Sequence, residues 1–326
     1  MAASFPLSDH CNGTHFFNPD IGEQPDRRGF WQLLRWRFGT RRVPWPLKID
    51  NDVYAPPTAP AAGHAAITFI GHASFLIQLP GTTFLTDPVF SDRASPVAFA
   101  GPRRVRPPGI SLAQLPKIDV ILLSHNHYDH ADLASLRAIQ AAHAPHAITM
   151  LGNAKLLAKA GLRAHELDWW DATKHDELHI TATPARHFSR RGLTDGNAAL
   201  WGGFMLELGH ARILFAGDSA GGPHWGTVAE RLGPPDLSLL PIGAYAPTWL
   251  MAPVHMNPEQ AVEAHLALRA HHSIAMHFGT FRLTDEAIDE PVRRLAAACQ
   301  DQNISNFHLL GVGETRMFDL RRDVTL

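Results

Sequence analysis

The stretch "LLSHNHYDHAD", residues 122 to 132, places three histidines and an aspartate within six consecutive positions behind an apolar run. Imidazole and carboxylate groups bury badly, and crowded imidazoles repel one another once protonated. A divalent cation removes both objections, because metal-bound histidines are neutral and the carboxylate gains a countercharge. Side chains alternate along a strand, so His125 and His127 reach the same side if the strand persists. Asp129 and His130 then fall in the turn that starts a helix. A polar helix cap or a proton relay would explain one such histidine but not the whole hexapeptide. The chain holds 21 histidines, so spacing and not abundance carries the reading.

Four donors do not complete two sites, and other strand ends offer the remainder. His187 in "ATPARHFSRR" follows a strand-like run, Asp218 in "ILFAGDSAG" ends one at a Gly-bearing turn, and His277 in "SIAMHFGT" ends another. A carboxylate has two oxygens and is the natural bridge. The completed set is His125, His127 and His187 on one ion, Asp129, His130 and His277 on the other, with Asp218 across both. These donors suit two divalent cations, zinc first, with manganese or iron as alternatives. The ions would share a water and lower its pKa toward ~7, giving a bridging hydroxide that attacks phosphorus or a carbonyl carbon. Asp129 would ligate and also orient that nucleophile, so Asp129 and Asp218 are the catalytic candidates. No serine or cysteine stands in a recognisable triad.

The elements that must position these groups are legible from about residue 65. "AITFIGHASFLIQL" and "TTFLTDPVF" read as two strands joined at Pro80-Gly81. "KIDVILLSH" is a short continuous apolar run, as in a strand covered on both faces. "ADLASLRAIQAAHA" follows with Leu133, Leu136 and Ile139 at helical spacing. "NPEQAVEAHLALRAHH" opens a helix with Asn257 as N-cap, Pro258 at the first position and Gln260 at the third. Strand-like and helical runs interleave, which predicts an α/β chain with mixed sheets. One internal echo joins them. "FLIQLPGTTFLTDP" and "FMLELGHARILFAGDS" are both hairpins whose second strand ends at an acid, Asp87 and Asp218, as in a fold of two similar halves.

Residues 1–60 read as an irregular N-terminal extension packed on a main domain spanning 61–326, because Pro, Gly and Asp dominate it. Within it "FWQLLRWRF", residues 30–38, reads as a short helix packing its aromatics on the body, with a membrane-surface helix as the alternative. The chain has 326 residues, 45% of them hydrophobic, enough for a large core. A net charge of -2 offers no field for nucleic acid. Two distant cysteines, no signal-peptide pattern and no long apolar run fit a soluble, cytoplasmic protein, with peripheral membrane contact as an option. Oligomeric state leaves no mark in the sequence.

The ordered set "HNHYDH … H … GDS … MHFGT" resembles the metallo-β-lactamase superfamily, which implies an αββα sandwich of two mixed sheets with a dinuclear site on one edge. More narrowly, "ITFIGHASFLIQL", "FLTDPVFSDRASP", "PARHFSRRG", "LPIGAYAPTWLM", "HMNPEQAVEAH" and "MHFGTFRLTDE" are similar to the N-acylphosphatidylethanolamine-hydrolysing phospholipase D family and its bacterial relatives. The resemblance covers residues 65 to about 295, with "NGTHFFNP" and "RRVPWP" as weaker matches upstream. It implies a phosphodiesterase acting on N-acylphosphatidylethanolamine-like phospholipids, with Tyr128 and His255 contacting the phosphate-bearing substrate. His72 and Asp87 are read as bracing the site, and Trp249, Leu250 and Met251 as an apolar tip near an acyl groove or bilayer. The chain departs from the animal members at Ser219-Ala220-Gly221-Gly222 and at Phe188. A lactonase or other carbonyl hydrolase, such as a sugar-phosphate lactonase, is the alternative on the same scaffold. A β-lactamase and a non-catalytic metal-binding scaffold come behind it.

Overall fold

A computed structural model describes residues 4–20, 36, 39 and 43–320. The first sheet is built from β1 (His64–Gly71), β2 (Ser74–Leu79), β3 (Thr82–Thr86), β4 (Val120–Leu123), β5 (His146–Met150) and β6 (Ala164–Leu167). The first three run antiparallel, and β3 to β6 are parallel in chain order. Helices α1 (Leu133–His143) and α2 (Ala154–Ala158) make the crossovers β4–β5 and β5–β6. The second sheet repeats this succession. It contains β7 (Ala172–His175), β8 (Leu178–Thr183), β9 (Gly203–Leu208), β10 (Ala211–Phe215), β11 (Leu237–Pro241), β12 (His272–Met276) and β13 (Phe307–His308). Here β8, β9 and β10 are antiparallel and β10 to β13 parallel. Its crossovers carry α3 (His224–Leu232), then α4 (Thr248–Met251) and α5 (Pro258–Leu268), then α6 (Glu290–Asp301). Finally β14 (Thr315–Asp319) returns to pair with β1, giving two seven-stranded sheets. This is the αββα sandwich that the resemblance implied.

Alternation along the strands explains the layering. In β4, Val120 and Leu122 join the large core shared with Phe204, Phe215 and Leu239 of the second sheet. Ile121 and Leu123 face the other way, onto Leu136, Ile139 and Leu157 of α1 and α2. Both faces are covered, so the strand reads as an unbroken apolar run. The cap foreseen for α5 is present: Asn257 Oδ1 accepts from Gln260 N at 2.9 Å, and Gln260 Oε1 accepts from Asn257 N at 3.1 Å.

One expected element is corrected. The run "AITFIGHASFLIQL" is two strands, β1 and β2, turning at residues 71–74. Short apolar runs flank Gly71-His72-Ala73-Ser74 closely on both sides, so the bend is easily read as part of one strand. The turn is made by backbone geometry, with Gly71 at φ 133° and His72 at φ 59°.

The 30–38 stretch lies outside the described residues except for Trp36, whose indole Nε1 donates to Asp285 Oδ2 at 2.8 Å. Residues 4–20 run along the body, with Phe16 and Cys11 buried in the main core. Among the described residues no helix is long and apolar enough to cross a membrane.

Candidate metal centre

The C-terminal ends of the central strands of both sheets converge on one edge, and the connections after them carry the candidate residues. β4 stops pairing at Leu123, and the extended chain beyond it keeps the two-residue alternation. His125 Nε2 and His127 Nδ1 therefore meet 2.9 Å apart. The chain then turns: His130 N and Ala131 N both donate to His127 O before α1 begins at its Asp132 cap. That turn redirects Asp129 and His130 sideways. On the second sheet Gly217 takes φ 62°, and a Cβ there would meet Gly202 O and Ser124. This close bend after β10 aims Asp218 at the centre of the site.

All seven residues singled out by spacing are brought together. His187 Nε2 lies 3.2 Å from His127 Nδ1, and Asp218 Oδ2 stands 3.9 Å from His125 Nε2 and 3.7 Å from His187 Nε2. On its other side the same Asp218 oxygen is 3.1 Å from His130 Nε2 and 3.1 Å from His277 Nε2. Asp129 Oδ2 closes that second group at 3.6 Å from His130 Nε2 and 3.5 Å from His277 Nε2. A tetrahedron with bonds of ~2.0–2.1 Å has edges of about 3.4 Å. The observed separations bracket that value in both groups, with Asp218 Oδ2 as the common corner.

Outer atoms hold these rings. His125 Nδ1 sits 2.9 Å from Ser124 Oγ, His187 Nδ1 donates to Val254 O at 2.8 Å, and His130 Nδ1 to Asp87 Oδ2 at 2.6 Å. Asp87 also accepts from Ser124 N at 2.8 Å and from Ser124 Oγ at 2.5 Å. Such outer bonds fix tautomer and direction, leaving the opposite nitrogen's lone pair for a cation. His72 Nε2 meets Asp129 Oδ2 at 2.9 Å. His72, Asp87 and His277 occupy left-handed backbone at φ 59°, 32° and 62°, an uncommon conformation that gathers at functional sites.

The electrostatics fit a cation pair. Burial, with the neighbouring imidazoles, drives His125 well below its usual value and takes His127 and His187 to about 3, so this trio is neutral. Burial also works against charge on His130 and His277, but Asp218 and Asp129 overcome it. His130 rises well above its ordinary value and His277 to about 9. Burial likewise opposes ionised Asp218 and Asp129, yet the facing His130, with His277 and His72, holds both carboxyls well below their ordinary range. Both imidazolium charges stand in the Asp129–His130–His277 group, where one divalent cation could supply the same compensation. Asp218 Oδ1 is buried with no hydrogen bond among the described residues, and His130 Nε2 and His277 Nε2 have none beyond their 3.1 Å ion pairs with Asp218 Oδ2. Buried polar atoms left under-satisfied are costly unless something else satisfies them. The side chains His125–His127–His187, and His72–Asp129–His130–His277, each form a group able to hold a metal ion.

The remaining candidates border this centre. His255 groups with His187 and Asp218, its ring 5.0 Å from His187 and 5.3 Å from His277, and its Nδ1 is buried and unpartnered. The Tyr128 hydroxyl donates to Arg191 O at 3.0 Å, and the Arg191 guanidinium stacks 3.9 Å above its ring. The phenolic proton is therefore already engaged. Phe188 packs edge-on against His127 with centroids 4.5 Å apart. The bracing role of Ser124 carried no sequence signal, since a serine beside a histidine is commonplace.

With this geometry in hand, the family is settled. Residues 82–278 match the model of the beta-lactamase superfamily domain, and the chain belongs to that superfamily. It is 38% identical to the N-acyl-phosphatidylethanolamine-hydrolyzing phospholipase D 1 of Caenorhabditis elegans over 93% of this chain and 92% of that protein. It is also 37% identical to an uncharacterized protein of Mycobacterium tuberculosis over 84% of this chain and 74% of the other. Among solved structures, an isothiocyanate hydrolase from Delia radicum gut bacteria superposes with a TM-score of 0.63 at 22% identity, covering 78% of this chain and 99% of its own. That last likeness concerns the fold. Fold, relatives and His/Asp clusters together define a metal-dependent hydrolase of the metallo-β-lactamase fold.

Proposed function

We propose that the protein is a dinuclear phosphodiesterase of phospholipase D type, acting on N-acylphosphatidylethanolamine-like phospholipids. The observation that carries this reading is the single oxygen, Asp218 Oδ2, standing 3.1–3.9 Å from four imidazole nitrogens of two donor groups. Two divalent cations bound there, zinc by preference of the donor set and manganese or iron as alternatives, supply Lewis acidity toward a phosphoryl oxygen and acidify water toward pKa ~7.

The chain's own residues do the rest. Asp129 keeps a partly open face, 13% exposed, while His72 pins its Oδ2, so it can orient the attacking group toward substrate. His255 is kept neutral by burial and by His187 and His277, although Asp218 pulls the other way. A neutral ring keeps one N–H that can donate a hydrogen bond to a phosphate oxygen. The Tyr128–Arg191 stack forms the wall between this centre and an adjoining cleft of ≈ 870 Å³.

The cleft suits an anionic substrate. Arg137, Lys155 and Lys159 line its far side. Of its acids, Asp92 pairs with Arg103, Asp132 is engaged by Ser91 N and Ala134 N, and Asp195 by Arg191 N and Gly192 N. Among the described residues Lys155 and Lys159 enter no ion pair. Beside cleft-lining Val97 and Gly192, Phe99 and Leu193 are 84% and 91% exposed, and Trp249 of α4 is 54% exposed. Apolar tips near cationic groups suit peripheral contact with a lipid surface. The test is a substrate panel with metal-loaded protein. Release of phosphatidic acid and an N-acylethanolamine from N-acylphosphatidylethanolamine in mixed micelles supports the reading. Turnover of lactones with every phosphodiester inert rejects it.

A further inference from the structure

Residues 15–20, "HFFNPD", have no part in the chemistry above, yet they end against its most exposed dependency. His187 follows β8 in irregular chain, where no ladder partner reaches it. Its backbone N–H donates to Asn18 Oδ1 at 3.3 Å, and Asn18 Nδ2 donates to its backbone carbonyl at 2.9 Å. The Asn18 amide thus copies a strand-to-strand pairing on one residue, fixing the peptide planes on both sides of the His187 Cα. The ring is fixed independently through Nδ1 on Val254 O, at 2.8 Å, so backbone and ring together decide where Nε2 points.

Asn18 is itself well anchored. Two residues earlier Phe16 is buried in the main core, and its N–H donates to Asn197 O at 2.9 Å. Two residues later Asp20 pairs with Arg186 Nε at 2.9 Å, gripping the residue before His187. Further back, His10 is held between Asp9 and Asp168 at 2.6 and 2.7 Å. The strap is pinned along its described length, and Asn18 transmits that rigidity to His187.

We propose that Asn18 is a positioning residue for His187, which makes the N-terminal strap part of the metal-binding machinery and not merely a cover. The inference rests on the reading of His187 as a ligand. Mutation of groups that orient a metal ligand from outside commonly weakens metal affinity ~10–100-fold. Asn18→Ala is expected to raise the dissociation constant of one of two cobalt equivalents by at least about tenfold. The visible absorption of that equivalent should change while the other keeps its spectrum. Asn18→Asp keeps the acceptor for His187 N–H and loses the donor, and should fall between wild type and Asn18→Ala. Full-length protein is titrated with cobalt, with far-ultraviolet circular dichroism monitoring the fold; should Asn18→Ala fail to fold, the Asp variant decides alone. His187→Ala is the reference. If it loses one equivalent while the folded Asn18 variants bind both ions as tightly as wild type with unchanged spectra, the inference is overturned and the ligand reading stands. If His187→Ala itself keeps both equivalents, the ligand reading fails and the inference falls with it.

Discussion

The two sheets share one strand succession, yet their corresponding turns have taken different work. Each begins with antiparallel strands, β1–β2–β3 and β8–β9–β10, and continues in parallel. A histidine follows the first strand of each trio, His72 and His187, and an aspartate follows the third, Asp87 and Asp218. In the second half these residues enter the centre. In the first half His72 sits on Asp129 at the border of the centre, within a group able to hold an ion, and Asp87 backs His130 and Ser124. The backbone support differs as well. His72 O accepts from His277 N at 2.8 Å within the sandwich, whereas His187 takes both its partners from Asn18 of the N-terminal strap. The first half contributes its own donors through the loop after β4. His72 and Asp87 take left-handed backbone at φ 59° and 32°, whereas His187 and Asp218 do not, so matched residue types are aimed differently by their backbones.

Substitution at matched positions breaks or sharpens this contrast. The largest effect belongs to Asp218→Asn, which replaces the shared anionic oxygen; turnover should fall on the order of 10³-fold and metal analysis should find at least one ion lost. Asp87→Asn, the counterpart, should keep both ions and lose about 10–100-fold in metal affinity, because it only loosens His130 and the Ser124 that backs His125. Equal losses from the two would erase the distinction between donor and brace.

A subtler separation comes from pH. His277, raised to about 9 against burial by Asp218 and Asp129, must give up a proton to accept a metal. The sign follows directly: below about pH 9 protons compete at the Asp129–His130–His277 group, and competition grows as pH falls. His127 and His187 lie near 3 and His125 well below its ordinary value, so their group needs no such loss. Calorimetric titration between pH 8 and 6 should weaken one metal site about tenfold per unit for each proton displaced, leaving the other nearly constant. Parallel weakening of both sites would contradict the assignment of donors to groups. The smallest effect is expected from His143→Asn, at the last turn of α1 and far from the centre. Melting and turnover should stay within about 0.5 kcal/mol of wild type.

Much of this was legible because the relevant signals are local. The hexapeptide sits where an apolar strand gives way to a capped helix, and the two acid-ended hairpins announce a repeated half. What stayed hidden was long-range or purely conformational. The turn at Gly71 and His72 is only four residues long between two apolar strands, and the φ values and the β1–β2 pairing reveal it. Ser124 and Asn18 are ordinary residue types whose importance comes from what the fold lays beside them, 169 positions away for Asn18 and His187. The short helix α3, between a Gly-rich bend and the Gly233-Pro234-Pro235 stop, offers an apolar face too brief to stand out from its surroundings.

The claim on which the account turns is that one oxygen of Asp218 belongs to both donor groups. Manganese-loaded protein examined by electron paramagnetic resonance addresses it most directly. Two equivalents giving the broadened, multiline signal of an exchange-coupled pair, replaced by isolated-ion spectra in Asp218→Asn, is the predicted result. Saturation at a single equivalent, or two equivalents with the six-line spectrum of uncoupled ions in the wild type, would contradict it.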